Sequence, residues 1–338
     1  MSIIWTILLT LVMFGIIIFA HEGGHLLCAK ACHIYVEEFS VGMGPLLFSF
    51  QKGETQYSLR LLPIGGYCKM PGEDGESDHP NGFDKKNVPQ RMLVVAGGAL
   101  FNILFAILLF IVAYMGLGTA TSEPLIGEVN PDYPAYSAGL EAGDRITAIN
   151  GTEIDSWNDM TSFIQENVGN ELTLDIDRNG EQKEITVTPV KGDSGSGIIG
   201  VVAARESVSV GSAIKTGFIQ TYELTKLVLV SLWQMITGAI GVELSGPVGV
   251  GQMVGQVASY GFFNFLVFVA AISVNLGVVN LLPLPALDGS RLVFLVLEGI
   301  RRKPLSPNVE GTIHFVGFVL LMLLLVVITY FDITRIMG

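Results

Sequence analysis

Half of the 338 residues are apolar and only 15% are charged, a balance that argues against an ordinary soluble globular protein of this length. Acidic residues number 31 against 19 basic ones, and the resulting net charge of −12 argues against a nucleic-acid partner bound through its phosphates. Three cysteines, all before residue 69, make no disulfide framework.

Residues 3–20 carry no charge and approach the roughly 20 residues that cross a ~30 Å hydrocarbon core. No Lys or Arg precedes them, so the segment reads as a retained span and not as a cleavable signal peptide. His21-Glu22-Gly23-Gly24-His25 follows directly. Residues four apart share a helix face, so these two imidazoles can take two corners of one tetrahedral Zn²⁺. Glu22 then sits where a general base is needed, beside water acidified by the cation. The motif alone can arise by chance on a solvated helix, but ionisable groups at mid-bilayer cost about 2.5 to 3.5 kcal/mol each and persist for function. Gly23 and Gly24 are expected to weaken this helical turn by about 1 kcal/mol each relative to Ala. A Cys28-x-x-x-Cys32-His33 metal site is conceivable, with free thiols on a helix as the preferred reading.

Residues 39–71 are Gly-rich and alternate apolar with polar, which predicts hairpins, and Pro63-x-Gly65-Gly66 reads as a turn. An exposed strand edge here could pair with an extended peptide; the alternative is a cover packed on the helices. Residues 92–117 form a second apolar run. Lys30, Lys52, Arg60, Lys69, Lys85, Lys86 and Arg91 lie between the first two spans, which places that loop in the cytoplasm.

Ser137-Ala-Gly-Leu-Glu-Ala-Gly143-Asp144-Arg-Ile-Thr-Ala-Ile-Asn150-Gly151 resembles the characteristic run of a PDZ domain. A helix over 157–166 and a hairpin turning at Asn179-Gly180 complete that α+β module. Such a domain would either bind a peptide by strand addition or act as a steric filter. Residues 218–242 are apolar but carry Glu223, Lys226 and Gln234, and read as an amphipathic helix at the outer interface, followed by a Gly-rich turn over 245–251.

A third span over 262–282 leads into Asn275-Leu-Gly-Val-Val-Asn280-Leu-Leu-Pro283-Leu-Pro285-Ala-Leu-Asp288-Gly289. A zinc site needs a third protein ligand, and Asp288 is the carboxylate at the end of this span. Taken alone it reads rather as the N-cap of the next helix, which the prolines and Gly289 would suit. Arg291, Arg301, Arg302 and Lys303 mark the following loop as cytoplasmic, and residues 312–330 form the fourth span. By parity, Asp288 returns to the side where the His21 end of span one lies, and both termini face outward. His79 and His314 read as surface or interfacial histidines.

Together these motifs resemble the site-2 protease class of intramembrane zinc metalloproteases, specifically the bacterial RseP-type. HExxH ending span one, Ala96-Gly97-Gly98-Ala-Leu-Phe-Asn102 in span two, and Asn280 through Gly289 match in order and spacing. The resemblance implies His21, His25 and Asp288 as zinc ligands, Glu22 as general base, and Asn102 and Asn280 as polar residues near the substrate. Asn275, Gly65 and Gly66 join them as expected substrate-positioning residues. The fold expected is a multi-pass α-helical membrane protein with four transmembrane helices, a membrane-associated β-hairpin loop and one extracytoplasmic PDZ domain. Its divisions are 1–33 (first span), 34–91 (cytoplasmic β-loop), 92–120 (second span), 121–204 (PDZ), 205–260 (outer amphipathic helix and turn), 261–290 (third span), 291–311 (cytoplasmic loop) and 312–333 (fourth span). The expected location is the bacterial cytoplasmic membrane, with zinc near its inner side. Expected partners are the bilayer, single-span substrates such as anti-sigma factors and signal-peptide remnants, and a peptide in the PDZ groove. A catalytically silent PDZ scaffold and a metal transporter are the competing classes. The scaffold has no use for buried ionisable groups, and the transporter lacks polar residues in the outer halves of its spans.

Overall fold

The computed structural model describes residues 2–337 apart from 74, 193–194, 240–245 and 304, and their side chains apart from those of 63, 64, 307, 336 and 337. Its helices are α1 (Ile3–Ala31), α2 (Val88–Leu117), α3 (Pro134–Ser137), α4 (Trp157–Glu166), α5 (Val210–Ile236), α6 (Pro247–Ser259), α7 (Phe262–Asn280), α8 (Asp288–Arg301) and α9 (Pro307–Met337). The chain divides into two compact units, residues 1–113 with 214–338, and residues 114–213.

In the first unit, α1, α2, α7 and α9 are long and apolar enough to cross a membrane. As expected of a first span that carries the histidines, α1 continues from the apolar run 3–20 through the His21–His25 motif to Ala31, because nothing before Cys32 and His33 breaks the helix. His33 has φ 53 and turns the chain out. The start of α2 is capped by Asn87, whose Oδ1 accepts the Gln90 amide at 3.0 Å.

Small residues let these helices approach closely, as they must where lipid offers no hydrophobic drive. A Cβ on Gly277 of α7 would lie 2.9 Å from the Ala99 carbonyl oxygen of α2, and Ser273, one turn earlier, donates from Oγ to the Asn102 carbonyl at 2.8 Å. The Gly-rich turn expected at 245–251 is not a turn over its described part beyond Gly246. From Pro247, which takes the first-turn position suited to its missing N–H, the chain is helical as α6. Gly255 brings α6 against Thr6 of α1, where a Cβ would meet the hydroxyl at 3.0 Å. Ser245 lies outside the described residues, as does the end of the amphipathic helix expected to reach residue 242; the described part of that segment is α5.

Two long strands, β1 (Glu38–Lys52) and β2 (Thr55–Lys69), reverse at Gly53 and Glu54. β2 pairs with the start of β1 twice: Phe39 faces both Tyr57 and Cys68, and Val41 faces both Leu59 and Gly66. Residues 59–66 therefore carry β2 from one edge of the 39–41 segment to the other. Pro63-x-Gly65-Gly66, expected to be a turn, runs within β2, with Gly65 at φ 82. Glu38 is tied to Arg60 at 2.8 Å. Burial opposes ionisation of Glu38, but hydrogen bonds from Ser58, Arg60 and Tyr67 outweigh it and hold the carboxyl below its usual range. Toward the hairpin tip Leu46, Leu47, Phe48 and Phe50 are exposed.

The second unit is a small α+β domain. A four-stranded antiparallel sheet runs in the order 152–153, 145–149, 172–178, 181–187, and Val201–Ala203 pairs separately with Ile126–Val129. Period-two burial along Leu172, Leu174 and Ile176 supplies the core with Ile126, Ile146, Ile149 and Met160 of α4. Ser156 caps α4 by accepting the Asp159 amide at 3.1 Å. Asn179 and Gly180 both have positive φ, 56 and 87, as a two-residue type I′ hairpin requires. The Gly143-Asp144 pair of the motif is structural here. Asp144 is fully buried and takes two bonds from the Arg178 guanidinium, at 2.6 and 2.8 Å, while that guanidinium also reaches the Gly139 carbonyl.

Candidate active site

His21 and His25 lie one turn apart on α1, and the N-terminus of α8 meets them. Asp288 Oδ2 lies 3.2 Å from His21 Nε2 and 3.5 Å from His25 Nε2, and the two Nε2 atoms are 3.2 Å apart. Donors about 2.0 to 2.1 Å from one tetrahedral zinc stand about 3.3 to 3.4 Å from each other, so these three atoms have the spacing of one face of such a site. Asp288 Oδ2 is buried with no hydrogen-bond partner, as a carboxylate oxygen awaiting a cation would be. Among the described residues this is the one grouping of His, Cys and acidic side chains able to hold a metal, so Cys28, Cys32 and His33 do not form another. Asp288 does not act as an N-cap: Leu287 holds that position, and Asp288 is the first residue of α8.

Backbone and amide groups orient the imidazoles. His25 Nδ1 lies 2.8 Å from the Val94 carbonyl oxygen, which fixes the proton on Nδ1 and leaves the lone pair on Nε2, on the side of Asp288. Asn102, buried in α2, has its amide 3.4 Å from His21 Nδ1. Its Oδ1 has no partner in the assigned orientation, and exchanging the amide's O and N would let Oδ1 accept the His21 Nδ1 proton in the same way. Asn102 thus sits against the His21 imidazole.

The helix glycines make room for this arrangement. A Cβ on Gly98 would lie 2.4 Å from His25 Nε2 and 2.7 Å from His21 Nε2, and one on Gly289 would lie 2.1 Å from the Leu282 carbonyl oxygen. A cavity of about 790 Å³ opens beside the site, lined by His21, Glu22, His25, Asn280 and Asp288, by residues 66–70, and by His314, Phe315 and Phe318 of α9. Gly66 presses on Glu22: a Cβ there would meet Glu22 Cγ at 2.9 Å. The 66–69 stretch is bonded to β1 along one edge only, and lines the cavity. Burial, with the charges of Glu22 and Glu73 adding to it, pushes the Cys68 thiol up.

The structure therefore brings together His21, Glu22, His25, Asn102, Asn280, Gly66 and Asp288. Gly65 faces Met43 instead, where a Cβ would lie 2.7 Å from Cε, and Asn275 lies on the exposed face of α7, outside the cavity lining. His79 stacks on Tyr35 with ring centroids 4.2 Å apart. His314, read as a surface or interfacial residue, instead stands in the cavity wall. The signal that would have found it is the one that marked His21, an ionisable residue within an apolar run.

Residues 9–324 match the family model described as peptidase family M50. The zinc metalloprotease RasP of Geobacillus kaustophilus is 36% identical, the alignment covering 96% of this chain and 97% of the relative. RasP of Oceanobacillus iheyensis is 34% identical over 98% and 99%. The regulator of sigma-W protease RasP of Bacillus subtilis is 33% identical over 98% of both chains. Among solved structures, PDZ domains of SdrC-like proteins from Listeria monocytogenes and Listeria innocua cover 26% and 25% of this chain and 93% and 96% of theirs. Their identities are 21% and 24%, each with a TM-score of 0.23. The chain belongs to peptidase family M50: it is a membrane metalloprotease, with four helices among the described residues long and apolar enough to cross a membrane, a β-hairpin region and a small α+β domain.

Proposed function

We propose that this protein is an intramembrane endopeptidase that cuts the transmembrane segments of single-span membrane proteins, with His21, His25 and Asp288 holding zinc and Glu22 as general base. The observation that carries the reading is the convergence of the three donor atoms at 3.2 to 3.5 Å within the membrane-spanning unit, next to an open strand edge. A zinc ion held by these three residues would supply Lewis acidity toward the scissile carbonyl and toward water. Glu22 accepts the proton from that water and can pass it to the leaving amine. His25 is held for metal by the Val94 carbonyl, and His21 by Asn102. The 66–69 edge can pair with an unwound substrate, whose amides are otherwise hidden in its own helix, and lay it across Glu22. Asn280, in the same cavity, is suited to a polar contact with that strand.

The excess of Lys and Arg in the loops after the first and third spans supports a zinc site near the cytoplasmic side, both termini outside, and the PDZ domain in the extracytoplasmic space. The name of the Bacillus subtilis relative supports an anti-sigma factor as one substrate; signal-peptide remnants are a second class of the same shape. The test is to purify the full chain, measure bound zinc, and assay a model transmembrane substrate with and without a chelator. Wild type should carry close to one zinc and lose activity with it. Glu22→Gln should keep the metal but not cleave, whereas His21→Ala and Asp288→Ala should lose both. Zinc-free protein of full activity, or a Glu22→Gln variant that turns over like wild type, would refute the reading.

A further inference from the structure

Between α7 and α8 the chain must turn and deliver Asp288 to the two imidazoles within seven residues, 281–287, and Ala286 there has φ 72. Left-handed backbone is unfavourable for an alanine, and such a conformation persists only where its surroundings impose it. The surroundings come from α9. The Ala286 amide donates to His314 Nδ1 at 3.2 Å. One turn further along the same face, Gly317 packs on the preceding proline so closely that a Cβ would lie 2.2 Å from Pro285 Cβ. The imidazole is itself held edge-on by Phe294 of α8, with ring centroids 5.7 Å apart and planes at 90°. A single ring thus touches the strained residue two positions before Asp288 and the helix that Asp288 begins.

We propose that His314 is a positioning residue for the metal site: by accepting the Ala286 amide it fixes the left-handed turn that aims Asp288 at His21 and His25. The proposal rests on the reading of Asp288 as a ligand. As the acceptor, Nδ1 carries no proton; the ring's proton is then on Nε2, which lies 3.9 Å from Glu310 Oε1 one turn back on α9. What α9 contributes is therefore an acceptor at the δ position of residue 314 and a glycine at 317, and not a fourth ligand.

The test uses the purified full chain and reads zinc retention as the chelator concentration that strips half the metal, together with kcat and KM on a model transmembrane substrate. His314→Ala and His314→Phe remove the acceptor, the latter keeping a ring against Phe294. Each should hold zinc about 10- to 100-fold less tightly, the usual effect of losing a group that orients a ligand, and should lose kcat more than KM. His314→Asn places an amide oxygen at the δ position and should stay within a few-fold of wild type. Ala286→Gly, which makes the left-handed turn unstrained, should restore part of the zinc retention of His314→Ala when the two are combined. Equal zinc retention in His314→Ala and wild type, or equal losses in His314→Phe and His314→Asn, would overturn the proposal. Asp288→Ala, measured alongside, separates the two readings: if it keeps zinc, the ligand assignment has failed, and if it loses zinc while His314→Ala does not, only the positioning role has.

Discussion

Gly24 of α1 and Gly97 of α2 meet backbone to backbone: a Cβ on Gly24 would stand 2.3 Å from the Gly97 carbonyl oxygen, and one on Gly97 would stand 2.8 Å from that of Gly24. The contact lies one residue from His25 and one from Gly98, so it sets the distance between α1 at the histidines and the α2 wall behind them. Gly23, its neighbour, has nothing within 4 Å of where a Cβ would be.

These adjacent glycines should therefore respond oppositely to the same substitution. Gly24→Ala forces α1 away from α2 and is expected to lower zinc retention and activity at least tenfold, as a displaced ligand would. Gly23→Ala removes a weak helix former into open space and is expected to raise stability by up to about 1 kcal/mol. Thermal melts and metal content of the two purified variants decide it; equal behaviour would mean that the close approach does not control the site.

Gly66 should matter for chemistry rather than for metal. Its substitution by Val pushes the 66–69 edge from Glu22 and from the Ser40 carbonyl, 2.8 Å from the site of the new Cβ. Zinc content should stay near that of wild type while kcat/KM falls by about 100-fold, the scale expected when a reacting group is misplaced by about 1 Å. Loss of zinc in Gly66→Val would instead make the strand a support of the ligand helix.

The membrane orientation has its own test. A reporter fused after Gly251 should read as extracytoplasmic and one after Arg302 as cytoplasmic. A cytoplasmic signal at Gly251 would mean that the region containing α5 crosses the bilayer, which the charged residues Lys215, Glu223 and Lys226 oppose.

Removal of the small α+β domain, residues 124–202, with the ends bridged, should leave cleavage of a short pre-trimmed substrate largely intact and newly permit one bearing a folded ectodomain. A groove that recruits substrate would show itself as a raised KM for the trimmed substrate. Equal activity of intact and deleted enzyme on both substrates would refute the filter.

Within that domain, Arg178→Ala strands the fully buried Asp144 carboxylate and should destabilise the module by about 3 to 5 kcal/mol, measurable by melting the isolated domain against its wild type if it folds alone.

What the sequence determined by itself is what local periodicity encodes. Four apolar runs, an i,i+4 histidine pair, the Asn179-Gly180 hairpin and the α4 helix each need information from only a few neighbouring residues, and each is present in the structure. Glycine was where local reading misled, because the same residue marks a turn in solvent and a close approach in a packed membrane bundle: the glycines after Pro247 belong to a helix, and Gly24 is a contact rather than a weakness. The tertiary structure alone decided that Asp288 faces the imidazoles and is not a cap, that Gly66 abuts Glu22, that Asn275 stays outside, and that His314 holds the loop before Asp288. His25 and Asp288 are separated by most of the chain, and their meeting depends on the close packing of Gly24 on Gly97, Gly277 on Ala99 and Gly317 on Pro285, contacts that no periodicity of the sequence records.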